Sequence, residues 1–173
     1  AARHDGGRAA FPVGERFHYS NYAYALLGEL VARVHGRSWW ECLRGELLDP
    51  LAMRRTTYLP EEPAAQGFSV HPYESRLVPE PATDTGAMAQ VWSTADDLAR
   101  YAAFLLTGHP DVLPLPALAE ATHPQSGDRH DRLGYAHGLG FQLYAGGSGM
   151  LVGHGGSMPG FLAGCLVDPG RRA

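Results

Sequence analysis

Phe17-His18-Tyr19-Ser20-Asn21 decides how this sequence reads, because it runs directly into a helical pattern. Beyond it, Ala23, Leu26, Leu27, Leu30, Val31 and Val34 recur at the spacing of one helix face. Gly36 then supplies a stop. Tyr19 and Asn21 therefore set a phenol and a carboxamide two residues apart, where a loop becomes a helix. A tight turn lets both side chains reach one small pocket. A phenol donates or relays a proton, while a carboxamide both donates and accepts hydrogen bonds. The pair suits acyl transfer, in which a proton moves while a carbonyl is held. Tyr-x-Asn alone is a frequent pattern, and its weight depends on the motifs downstream of it in the chain.

Upstream, residues 1–10 are small and polar and read as a loop. Pro12 and Gly14 punctuate an extended or turn segment before Phe17. Downstream, Ser38 with Glu41 three residues later forms a capping box that opens a second helix, ending near Asp49-Pro50. Thr56-Thr57-Tyr58 reads as a short extended piece. From Pro60 to Thr85 no period is sustained. This stretch is expected to be a long loop with one short strand near Phe68–Val70, either walling a pocket or making a surface excursion. Ser93-Thr94-Ala95-Asp96-Asp97, a hydroxyl followed by two acids, starts a third helix, with the acids at the positive end of its dipole. It continues through Leu98, Tyr101, Phe104 and Leu105 to Gly108, and a shorter helix covers Pro116–Ala121.

From Gly138 the period changes. Leu139–Tyr144, Met150–His154 and Phe161–Val167 read as three strands, with a turn at Ala145–Gly149 and a stop at Asp168-Pro169. A helical block over about 17–122 and an antiparallel meander over about 138–168 predict an α+β fold of three-layer α/β/α type.

The 173 residues amount to one domain, and the net charge of -4 is mild. No basic cluster points to nucleic acid, and no apolar run has membrane-spanning length. All 14 basic residues are arginine, so the chain has no lysine. Cys42 and Cys165 lie far apart without metal-ligand spacing and read as buried free thiols. His123, His130 and His137 recur every seventh residue, but Pro124, Gly127 and Gly134 interrupt any helix that would align them. They read as loop histidines; no metal site and no cofactor is expected.

A second constellation is His154-Gly155-Gly156-Ser157, on or just after a strand. Two glycines remove side chains, so a substrate can approach the strand edge closely. The Ser157 amide is then free to face a bound carbonyl oxygen, as an oxyanion donor. His154 supplies a switchable donor or cation. A glycine-rich hairpin turn with a surface histidine fits the same residues. A Gly-x-Ser-x-Gly elbow is excluded, since Pro159 follows Gly155-Gly156-Ser157-Met158 and Met150 follows Ser148-Gly149.

Taken in order, Tyr19-Ser20-Asn21, Ser93-Thr94-x-Asp96-Asp97-Leu98-Ala99-Arg100, Gly138-Leu139-Gly140-Phe141 and His154-Gly155-Gly156 ahead of Gly160-Phe161 resemble the serine β-lactamase and penicillin-binding-protein superfamily. Leu47-x-Asp49-Pro50-Leu51-x-Met53-x-x-Thr56 is similar to its class C-like branch, with its family VIII esterases and D-amino-acid peptidases. The resemblance spans about Pro12 to Asp168. It implies that Tyr19 activates a nucleophile or relays its proton, that Asn21 and His154 orient substrate along Gly155 and Gly156, and that the Ser157 amide is one of two oxyanion donors. It also implies a Ser-x-x-Lys motif, which a chain without lysine does not contain. The expectation is therefore a segment, truncated at both ends and inert alone, of a hydrolase for a small ester, amide or D-peptide. Histidine in place of the third motif's lysine favours an esterase or D-amino-acid peptidase over a β-lactamase. The competing expectation is a catalytically dead member, or gene remnant, that binds peptide or cell-wall ligands.

Overall fold

The computed structural model describes residues 12, 15, 17–82, 84–89, 91–127, 134–146 and 149–171. Helix α1 (Asn21–His35) starts at Ser20, whose hydroxyl accepts from the Ala23 amide, and ends at Gly36 in the left-handed conformation, φ 65°. Helix α2 (Trp39–Leu43) carries the expected capping box between Ser38 and Glu41. It passes into a π-helical turn (Arg44–Leu48), so the helical run reaches Asp49 as predicted.

The long stretch after Pro60 is more ordered than its composition suggests. It contains an antiparallel hairpin, β1 (Gly67–Val70) with β2 (Leu77–Glu80), where one short strand was expected. A 3-10 turn (Gly86–Met88) then presses on α1 at Gly28, where an added Cβ would stand 2.4 Å from that of Ala87. Glycine at this position permits the close approach.

Helix α3 (Ala95–Thr107) is capped by Thr94. Its first turn is anchored by Asp97, only 2% exposed, whose carboxylate accepts from the Arg55 amide and the Thr56 hydroxyl, each at 2.8 Å, and from Arg100 at 2.9 Å. A buried carboxylate needs several donors of this kind. Helix α4 (Leu115–Ala121) follows.

Among the described residues the main sheet has five antiparallel strands in sequence order: β3 (Ser126–Gly127), β4 (Tyr135–His137), β5 (Gln142–Gly146), β6 (Gly149–Met158) and β7 (Phe161–Val167). Three sequence expectations need correction. The sheet begins at Ser126 rather than near 138. Leu139-Gly140 is a bend, closed by a bond from the Gly138 amide to the Phe141 carbonyl, so the following strand starts at Gln142. His137 is a strand residue and not a loop histidine, while His130 lies outside the described residues. The third strand, Phe161–Val167, stands as predicted.

Leu143, Val152 and Val167 meet Phe104 and Leu105 of α3 and Leu118 of α4 to form the core. The helices cover this sheet face, whereas Leu162 and Leu166 at intervening positions of β7 face solvent. The chain is thus α+β, and among the described residues α3 and α4 pack on that one face. No helix of the described residues is long and apolar enough to cross a membrane.

Candidate active site

Ser20 is extended, with φ -144° and ψ 111°, and turns the chain sharply into α1. Tyr19 is left in the extended lead, and Asn21 heads the helix. The Tyr19 hydroxyl lies 3.5 Å from Nε2 of His154, with ring centroids 6.0 Å apart. Two motifs 135 residues apart therefore meet. Asn21 is exposed, and no hydrogen bond among the described residues joins it to either partner.

His154, Gly155, Gly156 and Ser157 all lie inside β6, not in a turn; the hairpin turn falls at Pro159-Gly160. Strand β5 accompanies β6 only as far as Gly153, opposite Gln142, whereas β7 pairs with it from Val152 to Met158. Gly153 has no room for a side chain, since a Cβ would stand 1.9 Å from the Cys165 carbonyl oxygen. Beyond this point one edge of β6 has no strand beside it among the described residues.

The Gly155 amide points to that open edge, donating to Oε1 of Gln142 at 2.8 Å. The Tyr144 hydroxyl donates to the same oxygen at 2.9 Å. Main-chain groups alternate sides along an antiparallel strand, so the Ser157 amide, two residues on, turns the same way. Added Cβ atoms at Gly155 and Gly156 would meet nothing closer than 3.7 Å. These glycines leave the edge bare rather than relieve crowding.

The His154 ring bonds through Nδ1 to the Gly155 carbonyl. A carbonyl can only accept, so Nδ1 carries the proton, and in the neutral ring Nε2 is left as acceptor for the Tyr19 hydroxyl. The site thus holds a hydroxyl aimed at an imidazole, two edge amides and a free strand edge. It can accept a proton, orient an extended substrate and hold a carbonyl oxygen. A cavity of about 460 Å³ opens beside Gly156 and Ser157, walled by Trp92, Met158, Phe161 and Leu162.

Two neighbours escaped the sequence reading. His137, 8% exposed, stacks on Phe17 at 4.2 Å between centroids and lies 6.0 Å from the Tyr19 ring. Burial, and secondarily the nearby His154, push its imidazole pKa down, and its Nε2 has no hydrogen-bond partner among the described residues. Both effects keep it neutral at ordinary pH. Gln142 is the other, holding the Gly155 amide. The signal for His137 lay in Tyr135-Ala136-His137, an alternation two residues short of a recognisable strand. Nothing local marks Gln142, whose role depends on register.

An α+β chain whose helices back an antiparallel sheet is consistent with the fold of the serine β-lactamase and penicillin-binding-protein superfamily. The chain belongs to the Beta-lactamase family, whose model matches residues 6–173. It is 30% identical over 121 residues to Beta-lactamase-like protein 2 of Dictyostelium discoideum, a match covering 66% of this chain and 22% of that protein. Among solved structures it is similar to the octameric penicillin-binding protein homologue of Pyrococcus abyssi, with 27% identity and a TM-score of 0.85 over 92% of this chain and 37% of that one. It is also similar to a D-stereospecific amidohydrolase of a Streptomyces species, with 25% identity and a TM-score of 0.78 over 94% of this chain and 49% of the other. The chain spans less than half the length of each of these three proteins.

Proposed function

We propose that this chain forms the proton-relay and substrate-edge half of a serine hydrolase that works through an acyl-enzyme on small esters, amides or D-peptides. The observation that carries the reading is the Tyr19 hydroxyl 3.5 Å from His154 Nε2, at the open edge of β6. A serine outside these residues attacks the substrate carbonyl and passes its proton to Tyr19 as the Tyr19 hydroxyl proton shifts to Nε2 of His154, a shift that reverses when Tyr19 gives a proton back. The carbonyl oxygen becomes an oxyanion held by the Ser157 amide and a second donor outside the chain. The C–O or C–N bond breaks as Tyr19 returns the proton to the leaving group. Water then attacks the acyl-serine and releases the acid. Asn21 and His154 orient the substrate, which lies along Gly155 and Gly156.

The nucleophile and its lysine must come from elsewhere, because the chain contains no lysine. By itself, therefore, it is inactive. A histidine, whose side chain ordinarily carries little charge at neutral pH, attracts a substrate carboxylate less than a lysine would. That favours esters and D-amino-acid amides over β-lactams, in keeping with the likeness to the D-stereospecific amidohydrolase. In the longer protein, Tyr19→Phe should cut turnover about a hundredfold or more, the effect of losing a general base. Steady-state turnover of an activated ester checks this, and a near-normal rate in the variant would remove Tyr19 from the mechanism.

A further inference from the structure

A second cluster, sharing no residue with the site above, lies where α1 gives way to α2. His35 is the last residue of α1, Cys42 belongs to α2 and Glu46 to the π-helical turn. The left-handed Gly36 folds the chain back between them. One ligand atom of each residue, an imidazole nitrogen, the Cys42 Sγ and a Glu46 carboxylate oxygen, lies within 4.8 Å of the other two. The His35 nitrogen and the Glu46 oxygen are already 3.3 Å apart.

We propose that His35, Cys42 and Glu46 form a zinc-binding site that ties the end of α1 to α2. Thiolate, imidazole and carboxylate together are a donor set for zinc, with water completing a tetrahedron. Bonds of about 2.0–2.3 Å place tetrahedral ligands roughly 3.3–3.8 Å from one another, so closure needs a movement of on the order of 1 Å. The half-exposed side chains of His35 and Glu46 can supply it, whereas Cys42, 4% exposed, is the fixed floor. Arg37 holds the Glu46 carboxylate through an ion pair, so metal binding competes with its guanidinium for that oxygen. The Cys42 thiol loses its proton to solvent as the Zn–S bond forms, so affinity rises with pH. The sequence hid the site because its ligands come from three elements and follow no zinc-finger spacing.

The test is titration of the reduced chain with cobalt(II), a coloured substitute for zinc. One equivalent should produce a thiolate-to-cobalt charge-transfer band that zinc then bleaches. Cys42→Ser should abolish the band and Cys165→Ser should leave it intact. Because Cys42 is a core residue, His35→Ala and Glu46→Gln give the independent readout at exposed positions. Each should weaken binding by at least the roughly tenfold that even an outer-sphere partner is worth, and Arg37→Gln should strengthen it. No thiolate band, a band that survives Cys42→Ser, or affinity unchanged in both His35→Ala and Glu46→Gln would overturn the site. None of these readouts depends on hydrolase activity.

Discussion

Helices α1 and α3 carry similar apolar patterns and meet opposite fates. In α3, Phe104 is 6% and Leu105 4% exposed, packed on the sheet with Leu143 and Val167. In α1, Leu26, Leu30 and Val34 are 69%, 55% and 72% exposed, and only Gly28 is buried, beneath the 3-10 turn. Amphipathic spacing sets which face of a helix is apolar, but burial depends on what the tertiary fold brings to that face. Among the described residues the sheet covers α3, and nothing comparable covers the Leu26-Leu30-Val34 stripe. Helix α1 is held instead by its caps and by the close contact at Gly28.

This contrast yields three expected outcomes in urea denaturation of the chain. Phe104→Ala should cost the most, about 3–5 kcal/mol, because it empties a filled core position. A loss below about 1 kcal/mol would mean that the core does not form around α3. Asp97→Ala comes next. It leaves the part-buried Arg55 amide and the buried Thr56 hydroxyl without their carboxylate, and losing such a partner costs about 1–3 kcal/mol. Leu30→Gln should change stability least, by no more than about 0.5 kcal/mol, as at other exposed positions. A loss rivalling that of Phe104→Ala would show that the α1 stripe is covered in solution and would erase the contrast.

The same contrast explains what could be read in the sequence. Caps are local, so Gly36, the Ser38–Glu41 box and the hydroxyls ahead of Asp96 and Asp97 marked a stop and two helix starts without any tertiary information. Strand β7 was legible because its apolar run is bounded by Gly160 and Asp168-Pro169. Strand β2, strands β3 and β4 and the continuation of β6 through its glycines were not. They are short or polar and are defined by partners distant in sequence. At the site, Tyr19 and His154 were named from motif order, and the structure places them in contact. His137 and Gln142 acquire their positions only when the sheet registers, Ser126 opposite His137 and Gln142 opposite Gly153, are known.

The acyl-enzyme reading is tested most directly by intact-mass spectrometry of the longer protein after brief exposure to an activated ester. A single acyl adduct is expected, mapped by peptide analysis to a serine outside these 173 residues and accumulating far more slowly in Tyr19→Phe. An adduct on a serine within this chain, or hydrolysis of the ester with no covalent intermediate when deacylation is slowed, would contradict it.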